Sequence, residues 1–295
     1  MDIQHNTHCY KMKKHIYVSG IFDKSIDATY VIHLKDNGRL PQIQEGLREY
    51  QATKVIYVVY NDGFKKCDKK LIEQVSYQDL TDAFLQCFKH ANQQNYQNIL
   101  ILEDDFIFSA DVKNVEHYES VNLFLNEKKE RKEEFIYYLG CNPILIRPCT
   151  YDLKHYLSYK STSMHAIVYS RETRNKMSQY NLNLKHWDVI IENSIKNRYL
   201  YYKPLCYQTY PDTENKESWG EKDSVVISYA KDVVIKTLNL HNQPEPGFSI
   251  LYAFAKYLCF LFTLVLIIVF LVILFYIIRV VFTETQTKNR KTSKQ

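Results

Sequence analysis

From Ala28 onward, short apolar runs alternate with amphipathic stretches, and that alternation predicts strands and helices in turn. The run TYVIHL, 29–34, is nearly continuous in apolar residues and reads as a buried strand. The segment RLPQIQEGLREYQ follows as a helix, with Pro41 near its start, where a missing N–H is tolerated. KVIYVVY, Lys54 to Tyr60, predicts the next strand, ended by the turn formers Asn61-Asp62-Gly63. Leu80, Ala83, Phe84, Cys87, Phe88 and Ala91 then recur at helical spacing, and Asn98 to Leu102 gives a third buried strand. EFIYYLG and MHAIVYS add strand candidates, Ser170 is placed to cap the helix RETRNKMSQY, and YLYYKPLCYQTY reads as extended chain. Strand, helix, strand, helix, strand predicts an α/β domain with parallel sheet layers, in which ligands sit outside the ends of the strands.

The last apolar run is of another kind. Tyr257 to Ile278 contains no charge, Pro or Gly, and about 22 residues of helix cross a hydrocarbon core. Tyr252, Tyr257 and Tyr276 suit the headgroup zone at its edges. The organisation expected is an N-terminal extension (1–27), one domain (28–240), a juxtamembrane segment (241–256), a transmembrane helix (257–278) and a basic polar tail (279–295). Seven Gly and seven Pro leave little linker from which to build a second domain.

Charge and cysteines narrow the partners. A net charge of +5 is modest and part of it lies in the tail, so nucleic-acid binding is not indicated. The run from Glu127 to Glu134 mixes both signs at helical spacing, as a solvated helix face does. Seven scattered cysteines without CxxC pairs predict reduced thiols, and no Asn begins an N-x-Ser/Thr triplet. The apolar piece HIYVSGIF is too short for a signal-peptide core. These three features predict a cytosol-facing domain behind a C-terminal anchor. Arg279 and the basic tail favour the opposite, lumenal placement by the positive-inside rule.

The chemistry is expected at ILILEDDFIF, where Glu103, Asp104 and Asp105 follow four apolar residues. Ionised carboxylates at the end of a buried strand need a cation, a basic partner or a raised pKa to offset desolvation. A hard divalent ion, Mg²⁺ or Mn²⁺, fits such oxygen ligands, and a structural acidic turn is the plainer alternative. GxxxxGK[ST], GxGxxG and HExxH are all absent, which removes most of the weight from P-loop, dinucleotide and zincin chemistry. Asn61 and Asp62 stand where a nucleotide base or ribose could be met, though both also suit a turn. His165 and His241 are further ligand candidates, and Trp187 and Trp219 could stack on a sugar or pack in the core.

Taken in order, TYVIHLKDNGRL, NILILEDDFIF, FIYYLG, HAIVYSRETRNKM, HWDVII and KPLCYQ resemble glycosyltransferase family 25, the lipopolysaccharide and procollagen galactosyltransferase type. The resemblance covers about Ala28 to Trp219 and departs from the arginine-rich opening loop in having only Arg39. It implies a GT-A-like nucleotide-diphospho-sugar-binding fold with a mixed, mainly parallel sheet. It also implies a metal-dependent transferase that moves a hexose, galactose or glucose, from a UDP-sugar to a hydroxyl of a glycan or protein. By the same resemblance Asp105 binds Mn²⁺ or Mg²⁺, with Asp104 and Glu103 touching the ion or one layer behind it, and Arg39 and Asp104 serve the donor, joined by Asn61 and Asp62 from their place at a strand end. Asp188 is then the general base, with a helix N-terminal Asp stabilised by the dipole, beside His186 and Trp187, as the plainer alternative. The alternative from another class is a degenerate transferase fold acting as a membrane-tethered binding or scaffold protein.

Overall fold

The computed structural model describes residues 6–179, 186–209, 233–240 and 243–292, with side chains as far as 280. A seven-stranded sheet runs through the domain: β1 (Tyr10–Ile16), β2 (Ala28–Leu34), β3 (Val55–Asn61), β4 (Asn98–Glu103), β6 (Ile136–Pro148), β7 (His155–Ser170) and β8 (Arg198–Tyr201). Their order across the sheet is β1-β3-β2-β4-β7-β6-β8. Strands β2, β3, β4, β6 and β8 share one direction, while β1 and β7 oppose it, so the sheet is mixed with a parallel majority. A second, two-stranded sheet joins β5 (Phe106–Phe108) to β9 (Cys206–Gln208).

The central strands are buried on both faces because helices cover both. Tyr30, Ile32, Ile99 and Ile101 face a cluster with α2 (Ser76–Gln93), whose Phe84 and Phe88 pack on Tyr169 and Trp187. Val31, Val58, Leu100 and Leu102 face the opposite cluster with α1 (Leu40–Glu49) and α3 (Val115–Glu130). Two shorter helices complete the first face, α4 (Arg171–Gln179) and α5 (Trp187–Ser194). Ser170 caps α4 as expected, its Oγ accepting from Thr173 N at 3.2 Å. Of the charged run, Arg131 pairs with Glu127 at 2.9 Å on the exposed surface at the end of α3.

Two features lie outside the expected pattern. The N-terminal segment adds β1 to the sheet edge, where Tyr10 and Met12 turn inward and lysines turn out, a common way of blunting an edge. Strands β6 and β7 extend well beyond EFIYYLG and MHAIVYS as one long bulged hairpin. Its distal half bends round so that His155–Leu157 pair with β8 as well.

The C-terminal helix, Gly247–Thr292, starts on the domain and leaves it. Phe248, Tyr252 and Ala255 are buried against the domain, whereas the side chains from Phe260 to Val280 that are large and apolar lie exposed. It is one helix long and apolar enough to span a membrane, compatible with a single-pass anchor.

Candidate functional site

Strand β4 delivers three consecutive acids to the rim where β2 and β3 also end, and the chain gives them three different environments. Asp104 is held by the turn after β2. Its Oδ2 accepts from Leu34 N at 3.2 Å and from Asn37 Nδ2, and its Oδ1 accepts from Arg39 Nη1 at 2.5 Å. His33 Nδ1 approaches Oδ2 to 3.7 Å. Burial pushes this carboxyl up, but His33, the Arg39 charge and the Asn37 hydrogen bond outweigh it and hold the pKa below the ordinary value. The turn that makes this clamp uses left-handed backbone at Asp36 and Gly38, the latter at φ 79°.

Asp105 points elsewhere and has no such clamp. It is 6% exposed, and its Oδ1 is buried without a hydrogen-bond partner. Burial, and then the neighbouring Asp104 charge, raise its pKa to about 7. Glu103 is partly buried and raised well above the ordinary carboxylate value by burial, with the charges of Asp105, Asp104 and Asp188 adding to it. Asp188, in the first turn of α5, is thus an electrostatic neighbour of Glu103 across some 80 residues of chain. Asp188 is half-buried, and its Oδ1 accepts from Val189 N at 2.9 Å.

The other predicted residues are engaged in the fold. Asn61 is buried in a network around Lys69, whose side chain is fully buried. Lys69 Nζ donates to Asn61 Oδ1 at 2.5 Å, to Asp79 Oδ1 at 2.5 Å and to Tyr10 OH at 2.7 Å. Burial lowers the Lys69 pKa, with Asp79 opposing the shift. Asp62 sits at the surface in an ion pair with Lys35 at 3.1 Å. Arg39 is committed to Asp104. His165 is buried with its ring nitrogens 3.0 Å from Ser163 O and 3.1 Å from Cys206 O, and burial lowers its pKa to about 4. Trp187 is a core residue, stacked on Phe84 and donating to Tyr169 OH at 2.8 Å. His241 and Trp219 lie outside the described residues.

Behind Asp105 the small sheet closes the corner. Thr209 N donates to Asp105 O at 3.1 Å, and the start of the C-terminal helix packs Phe248 against Tyr207 and His165. The Asp104 clamp and buried Lys69 escaped the sequence reading. The clamp had a signal in KDNGR, a turn directly after β2, whereas Lys69 lies in a loop without periodicity. The expectation of reduced thiols is corrected at one pair: Cys9 and Cys67 form a disulfide, 58 residues apart in sequence, joining the start of β1 to the loop after β3. Scattered spacing hides a contact that only the β1–β3 pairing creates.

No family model matches the chain, and no curated protein matches it. Among solved structures, the crystal structure of A197 from STIV aligns with a TM-score of 0.38 and 12% identity over 63% of this chain and 86% of that one. That likeness carries no argument about chemistry.

Removing the clamp's cation tests the division of labour at the rim. Arg39→Ala is expected to cost about 1–3 kcal/mol of stability, the range for leaving a partly buried polar group without its partner. Denaturant unfolding measures it; an unchanged midpoint would show that Arg39 is not spent on Asp104.

Proposed function

We propose that the chain is a membrane-anchored, metal-dependent glycosyltransferase with a GT-A-like domain, moving a hexose, galactose or glucose, from a UDP-sugar to a hydroxyl acceptor. The observation that carries this reading is the unpartnered, buried Oδ1 of Asp105, next to a Glu103 that feels the charges of both Asp105 and Asp188. Asp105 and Glu103 offer two hard-oxygen ligands of the kind Mn²⁺ or Mg²⁺ takes, although among the described residues no three acids bring their oxygens within 4.8 Å of one another. Asp105 and Glu103 would hold the ion, while Asp104 stays in its clamp. When bound, the ion neutralises the diphosphate as it leaves.

Asp188 takes the proton from the acceptor hydroxyl, the acceptor oxygen attacks the anomeric carbon, and the bond from that carbon to the UDP oxygen breaks. The electron pair of that bond departs with UDP. The clamp keeps Asp104 ionised and fixes the β2 turn against β4, so the rim stays rigid where the donor lies. With Arg39 committed, donor binding rests chiefly on the ion.

The disulfide and the flanking charges support the lumenal placement over the cytosolic one. Disulfides persist in oxidising compartments. Arg279, Lys288, Arg290, Lys291 and Lys294 follow the span, against Lys256 alone in the sixteen residues before it. Both support a domain on the non-cytosolic side with the tail in the cytosol.

The test is UDP-sugar hydrolysis by the full chain in detergent, with Mn²⁺ and with chelator, across UDP-galactose and UDP-glucose. Metal-dependent release of UDP is the expected result. Binding of UDP-sugar without turnover would instead make this an anchored binding protein, and neither binding nor turnover would overturn the donor assignment.

A further inference from the structure

The start of the C-terminal helix is tied to the domain. Three contacts stitch it to the hairpin and the end of β8. Tyr252 OH lies 3.7 Å from Cys141 Sγ on β6. One turn on, Lys256 Nζ stands over the Tyr202 ring at 5.4 Å, and Tyr202 N donates at 2.8 Å to the carbonyl of Lys154 at the base of the hairpin tip. A further turn on, Cys259 packs against the buried cluster that contains Tyr156 and is an electrostatic neighbour of that ring.

Lys256 is the last charge before the uncharged run to Arg279, so the apolar span begins beside it. Cys259 lies about 4.5 Å further along the axis at 1.5 Å per residue. Tyr156 pairs with Pro148 across the hairpin, so this end of the hairpin stands beside the start of the apolar span. The distal stretch of the hairpin, 144–153, exposes Ile144 and Leu145 on the end of β6 and Tyr151 and Leu153 in the turn, with Arg147 and Asp152 among them. Apolar and aromatic residues with a basic neighbour are the composition that lies in the headgroup and upper acyl region.

We infer that the tip of the β6–β7 hairpin, residues 144–153, is a second membrane contact that inserts into the bilayer surface beside the C-terminal helix. The domain is then held at two points. It cannot swing freely about the helix, and its tilt relative to the membrane is set. The occupant is lipid rather than protein because the hairpin is held, through Tyr202 and Lys154, beside the helix where its uncharged run begins.

Cys149, at the tip, is an exposed free thiol, while Cys87, Cys141 and Cys206 are buried. The full chain carrying Cys259→Ser is labelled at Cys149 with the dye NBD and reconstituted in phosphatidylcholine vesicles containing a phosphatidylcholine spin-labelled high on its acyl chain. The comparison is the same dye at Gln94→Cys in a Cys149→Ser/Cys259→Ser background, an exposed position at the end of α2, before the start of β4. The expected result is blue-shifted emission and strong quenching at Cys149 alone, with most of the quenching lost in Leu145→Ser/Leu153→Ser. Equal, water-like emission at both sites would overturn the inference. So would a tip shielded from aqueous iodide but untouched by spin-labelled lipid, which would point to a second copy of the chain. These readouts do not depend on transferase activity.

Discussion

Asp105→Asn is expected to abolish metal-dependent UDP-sugar turnover while leaving the apo protein as stable as the native chain, or more so. Native Asp105 places a carboxyl among Glu103 and Asp104 with one oxygen unpartnered, an arrangement unfavourable without a cation. The amide keeps the shape and removes the repulsion. A metal that stabilises developing charge supplies several kcal/mol to the transition state, and each 1.36 kcal/mol is tenfold, so the loss is expected at about 10²-fold or more. Steady-state kinetics with Mn²⁺ and thermal unfolding with and without the ion check both halves. A structural carboxyl would show the reverse: lower stability with turnover retained.

The pH dependence follows from the same group. Asp105 is raised from about 3.9 in an unfolded chain to about 7 in the fold, so the native apo state binds the extra proton. The sign is therefore fixed: this group's stabilising contribution is present below about pH 4 and is lost as pH rises through about 7. Ion binding needs the carboxylate and runs the other way. Affinity for Mn²⁺, measured by calorimetry, is expected to weaken as pH falls below about 7 in the native chain and to lose that dependence in Asp105→Asn.

What could be read from the sequence was what is written locally. β2, β3, β4 and α2 are legible because each is a contiguous apolar run or a clean helical repeat, and the uncharged run near the C-terminus likewise. The distal hairpin was not legible, since Asn142, Pro143, Ser158, Lys160 and Ser161 interrupt any period and its bulges shift the register. Strand β1 was read as a basic extension because an edge strand keeps lysines on its solvent side. The acidic motif was found, but not the division within it. Adjacent residues at a strand end point to different sides, so one acid reaches the β2 turn while the next is left unpartnered. Asp188 illustrates the remaining limit: only the packing of α5 brings it to Glu103.

The disulfide carries the second large effect. Cys9–Cys67 closes a loop of 58 residues containing β1, β2, α1 and β3, and cross-linking a loop of that length removes about 4 kcal/mol of unfolded-chain entropy at 25 °C. Cys9→Ser/Cys67→Ser is therefore expected to lower the unfolding free energy by about that amount, read as a fall in denaturant midpoint. Two residues past Cys67, Lys69 is fully buried against Asp79 and Asn61, so loss of the staple frees the segment that keeps a cation out of water. Hydrogen exchange should rise first in 62–75 and along β1, ahead of β2 and β4. Reduction of the native protein with a mild thiol reductant is expected to reproduce the same loss, which separates the bond from the serine hydroxyls. An unchanged midpoint in both experiments would mean that the two thiols stand apart in the native chain, and it would remove the disulfide's support for an oxidising compartment. The basic tail would then be the sole ground for the lumenal placement.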